Sequence, residues 1–194
     1  MDSRSRLIHM IQSTISMPHS KANEIVDRFE ERSYEKGSYF LKEGNLSNEY
    51  MFLSDGMMRG YATDPEGTEI TTTFYTPGQM VFEVSSFFNR THSKENIVAL
   101  TPCTGLVFTY STLNDLFHNM PEFRDFGRAI LVRALTTLKA RMLSAITDTA
   151  EERYLMLIKN NPEIFQHAPL KTIASYLGIT DTSLSRIRKE LSKG

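Results

Sequence analysis

Between Tyr34 and Tyr110 the sequence is cut into short apolar runs, YFL, YMFL, MMRGY, EITTTFY, MVF, NIVAL and LVFTY, and between them stand turn signals at Gly37, Gly44, Asp55-Gly56, Asp64-Pro65-Glu66-Gly67 and Thr76-Pro77-Gly78. Asp-Pro-x-Gly suits a type I turn, because proline presets the backbone angle at the second position and glycine is favoured at the fourth. Short strands at regular spacing predict an all-β unit of about eight strands, arranged as a sandwich or a rolled-up barrel. Before it the period is helical. Ile8, Ile11 and Ile15, then Ile25, Val26 and Phe29, recur at helical spacing around Pro18, so the chain is expected to be helical up to about Arg32.

After Tyr110 the strands stop. Ser111 or Thr112 is expected to cap a short helix, LNDLFHNM, which Pro121 terminates, and a much longer helix runs from about Glu122 to Ile146. Within it Leu131, Leu135, Leu138, Met142 and Ala145 follow 4-3-4-3 spacing, which lines them along one seam. A seam of this kind needs a partner, either the chain's own β unit or a second copy of the long helix. An intersubunit coiled coil fits better, since so long a helix has little else to cover it. A further helix spans about Ala150 to Asn160. The expected division is residues 1–147, the β unit with the long dimerisation helix at about 122–146, and residues 148–194, a compact helical module.

The final segment, LKTIASYLGITDTSLSRIRKELSKG, carries two stripes. Ile173 and Leu177 lie one turn apart on a first helix, with Ala174 small enough for another helix to cross closely. Gly178 ends that helix in the left-handed conformation, Thr180 caps the next, and Asp181 sits favourably at its positive end. On the second helix Leu184, Ile187 and Leu191 face inward, while Thr182, Ser185, Arg186 and Lys189 lie roughly opposite. Lys171, Arg186, Arg188, Lys189 and Lys193 outnumber Asp181 and Glu190, so this segment is cationic although the whole chain has a formal net charge of -1. Duplex DNA carries one negative charge per roughly 1.7 Å, so a local cationic stripe gains from counterion release even on a near-neutral protein. The pattern predicts a helix-turn-helix whose second helix enters the major groove. Arg186 is the candidate for guanine recognition. Thr180, Asp181, Thr182, Ser183 and Ser185 stand near neighbouring bases, and Lys171, Arg188 and Lys189 are placed for phosphates. The chain stops three residues after Leu191, so a β-hairpin wing after the second helix is expected to be absent or minimal.

Other functions find little support. No apolar run approaches the roughly 18 residues of a membrane span, and no signal peptide is evident, so a cytoplasmic location is expected. A lone Cys103 reads as a core thiol and cannot hold an iron–sulfur cluster or a cysteine-rich zinc site. The five histidines form no i, i+4 pair. No nucleophile, base and orienting group fall together, so the chain is not read as an enzyme.

A β-roll, a long helix and a terminal helix-turn-helix resemble the Crp/Fnr family of bacterial transcription regulators over nearly the whole chain. GNLSNEYMFLSDG, Gly44 to Gly56, looks like the cyclic-nucleotide-binding signature, and IASYLGITDTSLSRIRKEL looks like the family's DNA-reading unit. The resemblance implies an α+β protein. An antiparallel, jelly-roll-like β-roll would sense an effector, the long helix would build a homodimer, and the terminal unit would bind double-stranded promoter DNA, with RNA polymerase a possible partner. In family members that bind cyclic nucleotides, a phosphate cassette supplies a short helix, a Gly-Glu pair and an arginine followed by a small residue. The matching stretch is VFEVSSFFNRTHSKENIVAL. Glu83 stands at the ribose-binding position, Phe82 replaces the glycine, and Ser93-Lys94 replaces the arginine and its neighbour, with Arg90 and Lys94 as substitutes for the lost cation. Thr136 and Thr137 fall where the long helix would meet a purine. No cofactor is predicted; the resemblance implies a cyclic nucleotide, but the cassette departs from the members that bind one by losing the arginine that pairs bidentately with the phosphate, so the expected ligand is unknown or lost. Haem sensing needs an axial ligand, and neither His92 nor His118 is singled out. An effector-binding or protein-interaction module with vestigial terminal helices is the alternative.

Overall fold

The computed structural model describes residues 1–192; Lys193, counted above in the cationic segment, lies outside them. Two helices open the chain, α1 (Ser3–Thr14) and α2 (His19–Val26). Eight strands follow: β1 (Glu30–Tyr34), β2 (Tyr39–Leu41), β3 (Glu49–Asp55), β4 (Met58–Thr63), β5 (Glu69–Tyr75), β6 (Met80–Val81), β7 (Asn96–Ala99) and β8 (Cys103–Thr109), with α3 (Val84–Asn89) between β6 and β7. They form two four-stranded antiparallel sheets, β1-β8-β3-β6 and β2-β7-β4-β5, so the chain crosses repeatedly from one sheet to the other in jelly-roll fashion.

Strand β3 shows why this order suits the sequence. Its residues Tyr50 to Ser54 are buried without a break because both faces are covered. Met51 and Leu53 point between the sheets, into a core with Met58, Val81, Ile97, Cys103 and Val107. Tyr50 and Phe52 point outward, into a second core with Leu7 and Ile11 of α1, Leu106, Phe108 and the helices that follow β8. Cys103 is buried, as a core thiol should be.

Helical order fails earlier than Arg32. Glu30 to Tyr34 pair with Val107 to Cys103 of β8, and Phe29 packs edge-on against Phe108 with ring centroids 4.3 Å apart. Tertiary pairing overrides the local helical period there. Thr109, rather than Ser111 or Thr112, caps α4 (Tyr110–Asn119), accepting from the Thr112 N–H as soon as β8 ends. Pro121 does not only end α4; it occupies the first turn of α5 (Pro121–Thr147), where its missing N–H costs no hydrogen bond. Phe123 and Phe126 bury the start of α5 against the outer core. The close approach of α4 depends on Gly127, since a Cβ there would lie 2.6 Å from the Phe117 ring.

The remaining helices are α6 (Ala150–Asn160), α7 (Ile164–His167), α8 (Leu170–Leu177) and α9 (Asp181–Leu191). A reciprocal capping box between Thr149 and Glu152 starts α6 two residues after α5 ends. The four-residue α7 was not anticipated. Among the described residues no helix is long and apolar enough to cross a membrane.

Candidate nucleic-acid interface

Helices α8 and α9 meet through small and branched apolar side chains. Ile173, Ala174 and Leu177 of α8 pack with Leu184 and Ile187 of α9, and Tyr154, Leu157 and Ile164 close the cluster from α6 and α7. Gly178 separates the helices at φ +68°, and its N–H bonds back to the Ser175 carbonyl. Thr180 accepts from the Ser183 N–H at 3.2 Å, which caps α9, and Asp181 follows in the first turn. One inward expectation fails. Leu191 is 37% exposed, because α9 ends beyond the reach of α8. The opposite stripe is open: Thr182, Ser185, Arg186, Arg188 and Lys189 are exposed, as are Thr180, Asp181 and Lys171, while Ser183 is half-buried. Among the described residues neither Arg186, Arg188 nor Lys189 is held in an ion pair. The α9 face therefore presents planar and point cations with short hydroxyl side chains, the groups that grip phosphates and read base edges.

Behind this face the helical module rests on the β-roll. Met57 and Phe74 belong to the same apolar cluster as α8 and α9, and Phe74 lies 5.1 Å from the Tyr176 ring. Ser175 Oγ accepts from the Thr71 N–H at 2.9 Å. Arg153 of α6 ties the Asp148 carbonyl, at the end of α5, to the Leu177 carbonyl, at the end of α8. Apart from Leu177, none of these residues stood out in the sequence.

Along the long helix every residue from Leu131 to Ala140 is exposed, before Arg141 meets β5 and α8. Leu135, Leu138 and Met142 are 59–66% exposed, so the chain's own β unit does not cover the seam. Leu131 and Ala145 are exposed as well, and Val132, Leu143 and Ile146 widen the strip beyond the predicted positions. Thr136 and Thr137 turn their hydroxyls back to carbonyls four residues earlier.

Among the described residues no hydrogen bond or ion pair joins the five cassette residues to one another. Glu83 caps α3, accepting from the N–H groups of Ser85 and Ser86 at 3.0 and 2.6 Å. Phe82 is buried among Tyr50, Phe87 and Phe88. Arg90 takes a left-handed backbone, donates to the Ser47 and Phe87 carbonyls and to Asn48, and stacks on Tyr110. Ser93 is buried, with its hydroxyl engaged by the backbone of Glu95, and Lys94 is exposed. A cavity of about 460 Å³ lies elsewhere, between β2 and β3, and is lined by Tyr39, Lys42, Asn45, Ser47 and Glu49 among others.

Comparison with known proteins places this architecture. Residues 31–120 match the cyclic nucleotide-binding domain family. No curated protein sequence matches the chain. Among solved structures, the c-di-GMP responsive global regulator CLP of Xanthomonas campestris is similar over 91% of this chain and 92% of its own, at 16% identity and a TM-score of 0.70. FixK2 of Bradyrhizobium japonicum matches over 85% of each chain, at 19% identity and the same TM-score. The catabolite activator protein of Thermus thermophilus matches over 95% of this chain and 87% of its own, at 18% identity and a TM-score of 0.58. The fold is thus a cyclic nucleotide-binding β-roll followed by a long helix and further helices, as in Crp/Fnr structures.

Several groups around α3 are engaged within the chain itself. The Ser85 and Ser86 N–H groups in the first turn of α3 are taken by the Glu83 carboxylate. Glu95 brings a second carboxylate close by. Burial pushes its carboxyl up, a hydrogen bond from Thr72 lowers it, the Glu83 charge raises it again, and Arg141 opposes. The Tyr75 hydroxyl, pushed up by burial and then by Glu95 and Glu83, donates to the Phe82 carbonyl at 3.3 Å. Glu83, Glu95 and the Tyr75 phenol thus lie near one another, with the Arg141 cation beside Glu95.

Proposed function

We propose that the chain is a homodimeric DNA-binding transcription regulator of the Crp/Fnr type whose β-roll does not take a cyclic nucleotide. The observation that carries this reading is the outer face of α9, where Arg186, Arg188 and Lys189 stand exposed while Leu184 and Ile187 anchor the helix. Residues 1–147 form the sensor and dimerisation part, and residues 148–194 the reading module. The strip on α5 meets its counterpart in a second copy, which sets two α9 helices at half-sites about 34 Å apart on one face of the duplex. Arg186 reads guanine, Thr182 and Ser185 contact neighbouring bases, and Lys171, Arg188 and Lys189 hold phosphates. Binding to a promoter is what would bring such a dimer to RNA polymerase.

Selection from random duplexes tests the reading. The expected product is a two-fold-symmetric site whose affinity falls steeply from about 50 to 200 mM salt. Intact dimers that enrich no sequence and show no salt-dependent binding would overturn it in favour of a protein-interaction module.

A further inference from the structure

Strand β5 is the outer strand of its sheet, so one edge lacks a strand partner. It also contains a bulge. Gly60 pairs with Thr73 and Tyr61 with Thr71, which leaves the Thr72 peptide without a place in the ladder. Exposed edge groups and an orphaned carbonyl must find other partners. Here the helices supply them. Ser175 of α8 accepts from the Thr71 N–H and donates to the Glu69 carbonyl at 3.4 Å, which uses both capacities of one hydroxyl. Arg141 of α5 donates from one nitrogen to the Thr72 carbonyl and from another to the Tyr176 carbonyl of α8 at 3.3 Å. Its guanidinium carbon lies 3.9 Å from the Tyr176 ring centroid. The Thr72 hydroxyl donates to Glu95 at 3.1 Å, so the same residue that Arg141 holds also touches the interior of the β-roll.

One side chain therefore joins the β-roll, the long helix and the reading module. A planar fork can bridge two carbonyls while stacking on a ring, and a lysine ammonium cannot do all three. We propose that Arg141 is a positioning residue for DNA recognition: with the Thr72 bulge and Ser175 it clamps α8 to β5, so that α9 is presented in one orientation. This rests on the reading of α9 as the DNA-binding helix. Its orientation claim is tested without DNA.

The experiment uses the full-length dimer with spin labels at Glu66→Cys and Glu190→Cys, diluted with unlabelled protein, and measures their separation. Both positions are exposed and outside the reading stripe. The expected result is one narrow distance distribution, unchanged by millimolar cyclic AMP. Arg141→Met broadens it, Arg141→Lys restores it in part, and Ser175→Arg, which puts bulk at the docking point, broadens it independently. Affinity for the selected two-fold site falls about ten-fold in Arg141→Met if the competent orientation drops to a tenth of the population, while affinity for a single half-site is unchanged. A broad distribution in the wild-type protein, or one that narrows only with cyclic AMP, overturns the clamp. So does a distribution equally narrow in Arg141→Met and Ser175→Arg. Loss of all DNA binding with the narrow distribution intact would instead strike the proposed function and leave the clamp standing.

Discussion

A single guanidinium can act through base edges, through phosphates or through protein carbonyls, and its surroundings distinguish these uses. Arg186 is exposed on the open face of α9. Arg186→Ala should cost about 1–3 kcal/mol at the selected site and relax the sequence preference there, whereas Arg188→Ala should weaken all sequences alike and lower the salt slope by about one; competition titrations across salt measure both. Glu95 offers a test of the β-roll interior. Its folded-state pKa lies above the unfolded value, so the neutral carboxyl adds stability only at acid pH, and that contribution is lost as pH rises through the folded pKa. Glu95→Gln keeps an acceptor for Thr72 and removes the charge that faces Glu83. Its Tm should exceed wild type near about pH 8 and lose that advantage toward about pH 4, where the native carboxyl is neutral too. The α9 residues were legible in sequence because helical spacing alone separates an outward stripe from an inward one. Arg141 and Glu95 were not, because each takes its meaning from a partner distant in the chain: Thr72, 69 residues before Arg141 and 23 before Glu95.

At the scale of elements, the sequence was read best where one local rule dominates. Gly178 at φ +68° and the Thr180 cap follow from backbone sterics and hydrogen bonding within a few residues. Helix starts were misread where a strand supplied the first residue, as at Thr109, and the early helical period was overruled at Glu30 by pairing with β8. The bulge at Thr72 was illegible within a run of three threonines, since only the register against β4 says which one is extra. The α5 strip is the element with the clearest consequence. Leu135 and Leu138 are 66% and 62% exposed on a helix whose first turns are firmly packed. Leu135→Asp with Leu138→Asp would place charges in an apolar seam, raising the dimer dissociation constant by about a hundred-fold or more, as sedimentation would report, while the circular dichroism of the fold is kept.

For the whole molecule, the apolar cluster of the terminal helical module is not self-contained, because Met57 and Phe74 complete it from the β-roll. Two consecutive segments of chain thus share one interior, and the hinge between Thr147 and Ala150 divides helices without dividing that interior. Ser175 and Arg141, described above as a clamp, also cover the bare margin of β5. A chain cut after Thr147 would keep its two sheets yet uncover hydrogen-bonding groups beside fresh apolar surface, which is a template for strand-to-strand addition. Such a fragment should cloud and form thioflavin-positive assemblies under conditions where the intact protein stays dispersed, and light scattering would follow it. On that prediction the terminal helices also guard the β-roll against polymerisation.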